Sequence, residues 1–246
     1  LPLIVGALEP VLLTGPVGVG KTDLLKMVAK LLGWELMICH PVVGDPTDYK
    51  GMPAIIDGKA VWLPFGDLER MMNAKKPLIV FFDDLGQATQ TVQAAVMQIV
   101  LERAINGKAI SDKVTFVMAS NRRTDRAGVK GIITPLLSRI TTIVGLEVDA
   151  PAWCEWAYKN GMPAELIAFI QFREELLHQF DPKAVDSSGD SLINQPCPRT
   201  VAAAGRLFNL GITNFQIIKG AVGEAFATEF LSFVARIEKI GDLPKR

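Results

Sequence analysis

The chain is poor in metal-binding side chains, with two histidines and three cysteines in 246 residues. Cys39, Cys154 and Cys197 are far apart and never form a C-x-x-C pair. With only His40 and His178 beside them, a zinc site is not expected. Reduced thiols in a cytoplasmic protein are the default reading. An excess of one charge is also missing. Lys plus Arg and Asp plus Glu each number 26, and the formal net charge is zero. Such a balance gives no general drive toward nucleic acid, although Arg122, Arg123, Arg126 and Lys130 crowd one stretch. No apolar run approaches the roughly 18 residues of a membrane span. The first residues, Leu1-Pro2-Leu3-Ile4-Val5, carry no basic n-region, so no signal peptide is expected.

What the chain does have is apolar material in a regular order. Apolar residues make up 49% of it, enough for a substantial core in one large domain or a core with a smaller lid. Strand patterns at 10–13, 35–39, 76–82, 114–119 and 140–144 alternate with helical patterns at 23–33 and 90–103. This alternation predicts an α/β domain with a parallel sheet. Residues 40–52 read as a loop rich in Pro, Gly and Asp, and 54–62 as a hairpin turning on Asp57-Gly58. Composition changes at Asp149-Ala150-Pro151. Beyond it, helices are expected over 152–160, 163–179, 200–211 and 214–240, with a loop at 181–198 that holds Ser187-Ser188-Gly189. The Trp153/Trp156 pair lies on one helix face and reads as core.

The most informative segment is Gly15-Pro16-Val17-Gly18-Val19-Gly20-Lys21-Thr22, which reads G-x-x-x-x-G-K-T. Its glycines let backbone N–H groups curl around a phosphate without Cβ clashes. Lys21 can reach the β- and γ-phosphates, and the Thr22 hydroxyl can ligate Mg²⁺. The helix beginning at Asp23 adds the positive end of its dipole. Gly15, Pro16, Gly18, Val19, Gly20, Lys21, Thr22 and Asp23 are therefore the candidate nucleotide-binding residues, for ATP or ADP with Mg²⁺. No N-K-x-D stands in the chain for guanine recognition.

The strand at 76–82 ends on Asp83-Asp84. Asp83 is placed to hold the metal's water shell, with Thr22 as the other metal residue. Asp84 is placed to orient or deprotonate the attacking water. An acidic pair at this point also serves as a helix cap. Asn121 ends the next strand and can hold the same water, or form a turn. Arg139, before the last strand, is a candidate finger reaching into a neighbouring subunit's site. Arg199 opens a helix of the C-terminal part and can contact the γ-phosphate of its own subunit, or stay solvated.

These motifs together resemble an AAA+ ATPase of the MoxR group over nearly the whole length. The matching segments are 15–22 (Walker A), 78–84 continued by Leu85-Gly86-Gln87-Ala88 (Walker B), 118–121 (sensor 1), 135–139 (arginine finger) and 197–200 (sensor 2). Asp45-Pro46-Thr47-Asp48-Tyr49-Lys50-Gly51-Met52-Pro53 resembles the D-P-x-D-x-x-G-x-P loop common in that group. The resemblance implies a P-loop NTPase core at 1–149 with a parallel sheet flanked by helices, followed by a small all-helical lid at 150–246. It also implies a hexameric ring with ATP between subunits, and remodelling of a protein partner, often one with a von Willebrand A domain. Ile4, Val5 and Gly6 lie where AAA+ proteins often contact the base. Lys50 and the following hairpin lie where a ring pore or a partner is met, or form a solvated loop.

One departure stands out. The group usually has Asp-Glu where this chain has Asp83-Asp84. Asp is one methylene shorter, which sets its carboxylate back by roughly 1–1.5 Å. A misplacement of that size costs about 10²-fold in rate. Two other functions therefore stand beside the remodelling ATPase. One is a nucleotide-switched scaffold with little turnover. The other is a DNA-associated AAA+ motor or loader, which the zero net charge disfavours. A small-molecule kinase fits the first motif but not the later arginines.

Overall fold

The computed structural model describes residues 1–122, 131–181 and 194–241. Arg123, Arg126, Lys130 and Ser187-Ser188-Gly189 lie outside the described residues. The chain forms two compact units: Leu1–Gly15 with Lys21–Leu146, and Pro16–Gly20 with Glu147–Arg246.

The first unit is a three-layer α/β structure. Five parallel strands form its sheet: β1 (Val11–Thr14), β2 (Glu35–Cys39), β5 (Leu78–Phe82), β8 (Val114–Ser120) and β9 (Thr142–Gly145). Their order is β2-β5-β8-β1-β9. Side-chain alternation assigns each strand residue to one face. Leu12, Val80, Phe82, Phe116 and Met118 join one core, while Val11, Leu13, Ile79, Phe81, Val117 and Ala119 join the other. Both faces are covered, so β5 and β8 are buried throughout and read as continuous apolar runs. Helices α1 (Pro2–Gly6) and α2 (Lys21–Leu32) supply Val5, Leu25, Val28 and Ala29 to the second core. Helices α4 (Gly66–Met72) and α5 (Gln90–Glu102) supply Leu68, Met71, Val92, Val96 and Ile99 to the first. Burying each such Leu, Ile or Phe contributes about 1.5–3 kcal/mol.

The segment at 40–52, expected as a loop, contains a short helix, α3 (Pro46–Lys50). Its start is a capping box. Asp45 accepts from Thr47 N at 2.9 Å, and Asp48 accepts from Asp45 N at 2.8 Å. Tyr49 is buried, with its ring edge-on to Phe82. Gly51 ends the helix at φ 87°, where a Cβ would meet Leu63 O at 2.6 Å. The D-P-x-D-x-x-G pattern is thus explained here by helix capping and close backbone approach. The hairpin follows as β3 (Met52–Ile56) and β4 (Lys59–Leu63), with Asp57 and Gly58 both left-handed as a type I′ turn requires. A second small hairpin, β6 (Ala104–Ile105) with β7 (Lys108–Ala109), turns on Asn106-Gly107.

Pro135 opens the short helix α6 (Thr134–Leu137). The C-terminal unit is helical: α7 (Ala150–Lys159), α8 (Ala164–Phe172), α9 (Pro198–Asn209), α10 (Phe215–Val222) and α11 (Glu224–Gly241). Its core gathers Trp153, Phe169, Phe226 and Phe230, with Phe169 edge-on to Phe226 at 5.3 Å between ring centroids. Trp153 and Trp156 lie 6.1 Å apart and both join this core. Gly205 permits close packing of α9, since a Cβ there would meet Leu166 Cδ2 at 2.7 Å.

Two expected helices are broken. The one expected over 163–179 stops at Phe172, because Arg173 takes φ −134°, ψ 64°, and resumes as a 3-10 turn at Glu174–Leu177. Arg173 pairs with Glu175 and Glu229 across the break. The one expected over 214–240 divides at Gly223, which has φ 84° and lies so close to Asn194 O that a Cβ would meet it at 2.9 Å. Among the described residues no helix is long and apolar enough to cross a membrane.

Candidate functional site

Sheet register brings the candidate residues of the first unit together. Thr14 of β1 pairs with Ser120 of β8, so Gly15 and Asn121 leave the sheet side by side. Phe82 of β5 pairs with Met118, which sets Asp83 just below Asn121. The carboxyl ends of three adjacent strands, β1, β8 and β5, therefore carry the loop, the amide and the acids. This is the crevice in which parallel α/β sheets take ligands.

Lys21 is the first residue of α2 and is only 7% exposed. Its ammonium donates to Gly15 O at 3.0 Å and to Asn121 Oδ1 at 2.6 Å. A buried ammonium needs such partners, because desolvation without them is costly. Thr22 Oγ1 donates to Asp83 Oδ2 at 2.7 Å, and Asp83 Oδ1 accepts from Asp84 N at 3.1 Å. Asn121 Nδ2 donates to Asp84 Oδ1 at 3.2 Å. The Asn121 amide thus bridges Lys21 on one side and Asp84 on the other.

Asp84 adopts a left-handed conformation, φ 53°, ψ 33°, as the strand turns into the 3-10 segment Leu85–Gln87. Asp and Asn enter this region several-fold more readily than other non-glycine residues. The turn geometry gives a physical reason for Asp in place of the longer acid.

The donor set suits a magnesium ion. Thr22 and Asp83 offer one hydroxyl and one carboxylate oxygen in contact, and Mg²⁺ takes few protein ligands and fills its octahedron with phosphate and water oxygens. Among the described residues no group of three or more His, Cys, Asp or Glu gathers as an all-protein metal cage.

Other expected residues stand apart from this cluster. The Asp23 side chain pairs with Lys26 at 3.0 Å on the solvent side of α2, so what it offers a phosphate is its backbone N–H. Arg139 is exposed and donates to Pro135 O at 2.8 Å, folded back on its own helix. Arg122 donates to Leu146 O at 2.9 Å. Arg199 lies in the second unit, exposed, in the first turn of α9.

The tip of the phosphate loop, Pro16 to Gly20, belongs to that second unit. Gly18 and Gly20 have φ 74° and 97°. A Cβ on Gly18 would meet Cys197 Sγ at 2.4 Å and Arg199 Cβ at 3.6 Å. Cys197 is the N-cap of α9 and forms a capping box with Thr200. Sequence reasoning named Cys197 only as the start of the 197–200 segment and did not foresee its approach to the loop tip. The Pro198 that follows it, at the first helical position, was the available signal. It also missed Gln93, a polar residue that is fully buried within the apolar face of α5.

A family model for the ATPase family associated with various cellular activities matches residues 11–148, more than half of the chain. No curated protein matches the chain in sequence. Among solved structures, two point mutants of RuvB from Thermotoga maritima each match with a TM-score of 0.53 and 15% identity, over 94% of this chain and 66% of theirs. A third RuvB point mutant matches with a TM-score of 0.51 and 15% identity, over 95% of this chain and 66% of its own. The chain thus spans just under two thirds of the length of these RuvB chains, and the likeness is one of fold. With the loop, the acidic pair and the amide on adjacent strand ends, and the family model covering that sheet unit from residue 11 onward, the chain belongs to the AAA family of ATPases.

Proposed function

We propose that the chain is a Mg²⁺-dependent ATPase of the MoxR group, working as a hexameric ring that remodels a protein partner. In this reading residues 1–149 bind the nucleotide and 150–246 form a helical lid. The observation that carries it is the continuous cluster Lys21–Asn121–Asp84 beside Thr22–Asp83.

In the mechanism, ATP phosphates take over the Lys21 ammonium from Gly15 O and Asn121. The chemistry that Mg²⁺ supplies when held by Thr22 and Asp83 is neutralisation of charge on the β- and γ-phosphate oxygens. Asn121, released from Lys21, keeps its contact with Asp84 and orients a water. Asp84 accepts that water's proton as its oxygen attacks the γ-phosphorus. The bond to the bridging oxygen breaks, leaving ADP and phosphate. Arg139 of one subunit stabilises the transition-state charge in the next, and Arg199 contacts the γ-phosphate of its own subunit. A protein client, such as one with a von Willebrand A domain, suits the exposed hairpin, where Ile55 is 81% exposed and Met52 and Trp62 also face solvent.

The test is steady-state ATP hydrolysis against protein concentration, with Lys21→Ala as control. Specific activity that rises with concentration and vanishes in the variant supports shared sites in a ring. A second reading, a nucleotide-switched scaffold, is favoured by the short Asp84. Tight ATP binding with negligible turnover at every concentration would select it. A salt-sensitive shift of DNA mobility would select a DNA-associated motor instead.

A further inference from the structure

Gln93 is fully buried in α5, yet it is polar. Its amide Nε2 donates to Ala88 O at 3.2 Å and to Gly131 O at 3.0 Å, and its Oε1 accepts from Ile133 N at 3.0 Å. Two carbonyls on one side and one N–H on the other fix the orientation of the amide. Its partners belong to two segments. Ala88 closes the turn that follows Asp84, and Gly131 and Ile133 lead into α6 and on to Arg139. Gly131 N also donates to Gly86 O at 3.2 Å, so a backbone bond as well as the Gln93 amide joins the turn after the acids to the start of the segment before the arginine.

The remaining contacts extend that link. Ile133 is the N-cap of α6. Leu136 is fully buried in the core that also holds Leu85, Ala88, Val92 and Val96, and Ile132, Ile133 and Leu137 pack against it. Arg139 N donates to Leu136 O at 3.1 Å, and its guanidinium to Pro135 O. Asp84 is held by the end of β5 and by Asn121. Among the described residues 131–139 pair with no strand, and the Gln93 amide ties their start to the turn through a side chain.

We infer that Gln93 is a positioning residue that sets Arg139 relative to Asp84. The acid working on a subunit's own nucleotide and the arginine offered to its neighbour are then held in register by this buried amide, together with the Gly131–Gly86 bond and the packing of Leu136. The inference rests on the reading of Arg139 as an arginine acting in trans. Loss of the amide frees the 131–139 segment rather than the acid. Its effect therefore falls on what a subunit donates, not on what it hydrolyses.

Subunit mixing tests this. Acceptor subunits carry Arg139→Ala, with an intact site but no arginine to give. Donor subunits carry Lys21→Ala, with an arginine but no working site. The mixture recovers hydrolysis if the arginine acts in trans. Adding Gln93→Met, of similar length but without the amide, to the donors is expected to cut that recovery by about tenfold or more. Adding it to the acceptors is expected to leave recovery within about twofold, with nucleotide affinity within about threefold. A merely structural role would lower both arms alike, and equal loss in both, or no loss in the donor arm, overturns the inference. If plain Lys21→Ala donors give no recovery, or Arg139→Ala alone hydrolyses normally, the reading of Arg139 fails first and takes the inference with it. Should Gln93→Met not fold, hydrogen exchange on the wild-type chain decides. The Ile133 amide, held by Gln93 Oε1, is expected to be protected about as well as the buried turns of α5, and protection no better than an exposed loop amide overturns the inference.

Discussion

The Lys21 ammonium donates to Asn121 Oδ1 at 2.6 Å, linking the phosphate loop to the end of the neighbouring strand. The same amide donates to Asp84. In the proposed mechanism Asn121 therefore has one function toward binding and another toward the water. Asn121→Ala is expected to cut turnover by about 10²-fold, the scale for losing one preorganised polar contact to a transition state. ADP affinity should stay within about threefold, because Lys21 keeps Gly15 O as a partner until phosphate arrives. Turnover and fluorescent-nucleotide titration check the two halves separately. Normal turnover in the variant would remove Asn121 from the chemistry.

Asp84 sits in a left-handed turn, which Asp and Asn tolerate better than Glu. Two substitutions separate reach from conformation. Asp84→Asn keeps the backbone preference and removes the proposed base, so ATP binding should persist while turnover falls by about 10²–10⁴-fold. Asp84→Glu extends the carboxylate toward the water and is expected to raise turnover, by up to about 10²-fold. Its left-handed backbone should lower stability by about 1 kcal/mol. No rise in turnover would mean that the short acid is already well placed.

The parallel sheet was legible because its signals are local. Continuous apolar runs such as 78–82 mark strands buried on both faces, and the glycine-rich run names its own chemistry. The two helix breaks were not legible. Arg173 and Gly223 interrupt periodic apolar patterns at positions set by Glu229 and by Asn194, each distant in sequence. Gln93 was hidden for the same reason: its partners Gly131 and Ile133 lie about forty residues away. The helix at Pro46–Lys50 was within reach, since Asp45 and Asp48 have capping-box spacing, but the density of Pro, Gly and Asp around them favoured a loop. The roles given to Arg139 and Arg199 are proposals drawn from their places before the last strand and at the start of α9, because nothing in the spacing of an exposed arginine tells what it meets.

Gly18 and Cys197 form a steric pair. Gly18→Ala places a methyl group where Cys197 Sγ already lies, 2.4 Å away, and does so at φ 74°. The backbone conformation alone costs about 1–2 kcal/mol, and the clash adds to it. ATP affinity is expected to fall by about tenfold or more, since 1.4 kcal/mol is a factor of ten. Combining it with Cys197→Ala removes the sulfur but not the backbone strain, so affinity should return in part. A double-mutant cycle on nucleotide affinity reads this coupling. Strict additivity would show that the thiol and the loop tip do not touch in solution.

Cys39 and Cys154 give the fold a pH dependence of known sign. Burial pushes both thiols up from their usual range, and the Asp67 carboxylate, which Cys39 Sγ faces at 3.5 Å, pushes Cys39 further. A raised pKa means that the folded chain holds the proton more tightly than the unfolded one. The associated stability is complete below the unfolded thiol value, about 8.5, and is lost as pH rises above it. Each fully protected thiol contributes a slope of up to about 1.4 kcal/mol per pH unit. Tyr49, also raised by burial, joins only above its unfolded value of about 10. Chemical denaturation between about pH 8 and 10 should therefore show falling stability, and Cys39→Ala should flatten the curve. Cys39 should also resist iodoacetamide at pH 8 in the native chain, by about 10²-fold relative to the denatured chain, because only the exposed thiolate reacts. Equal labelling rates in the two states would contradict the buried environment of Cys39 beside Asp67.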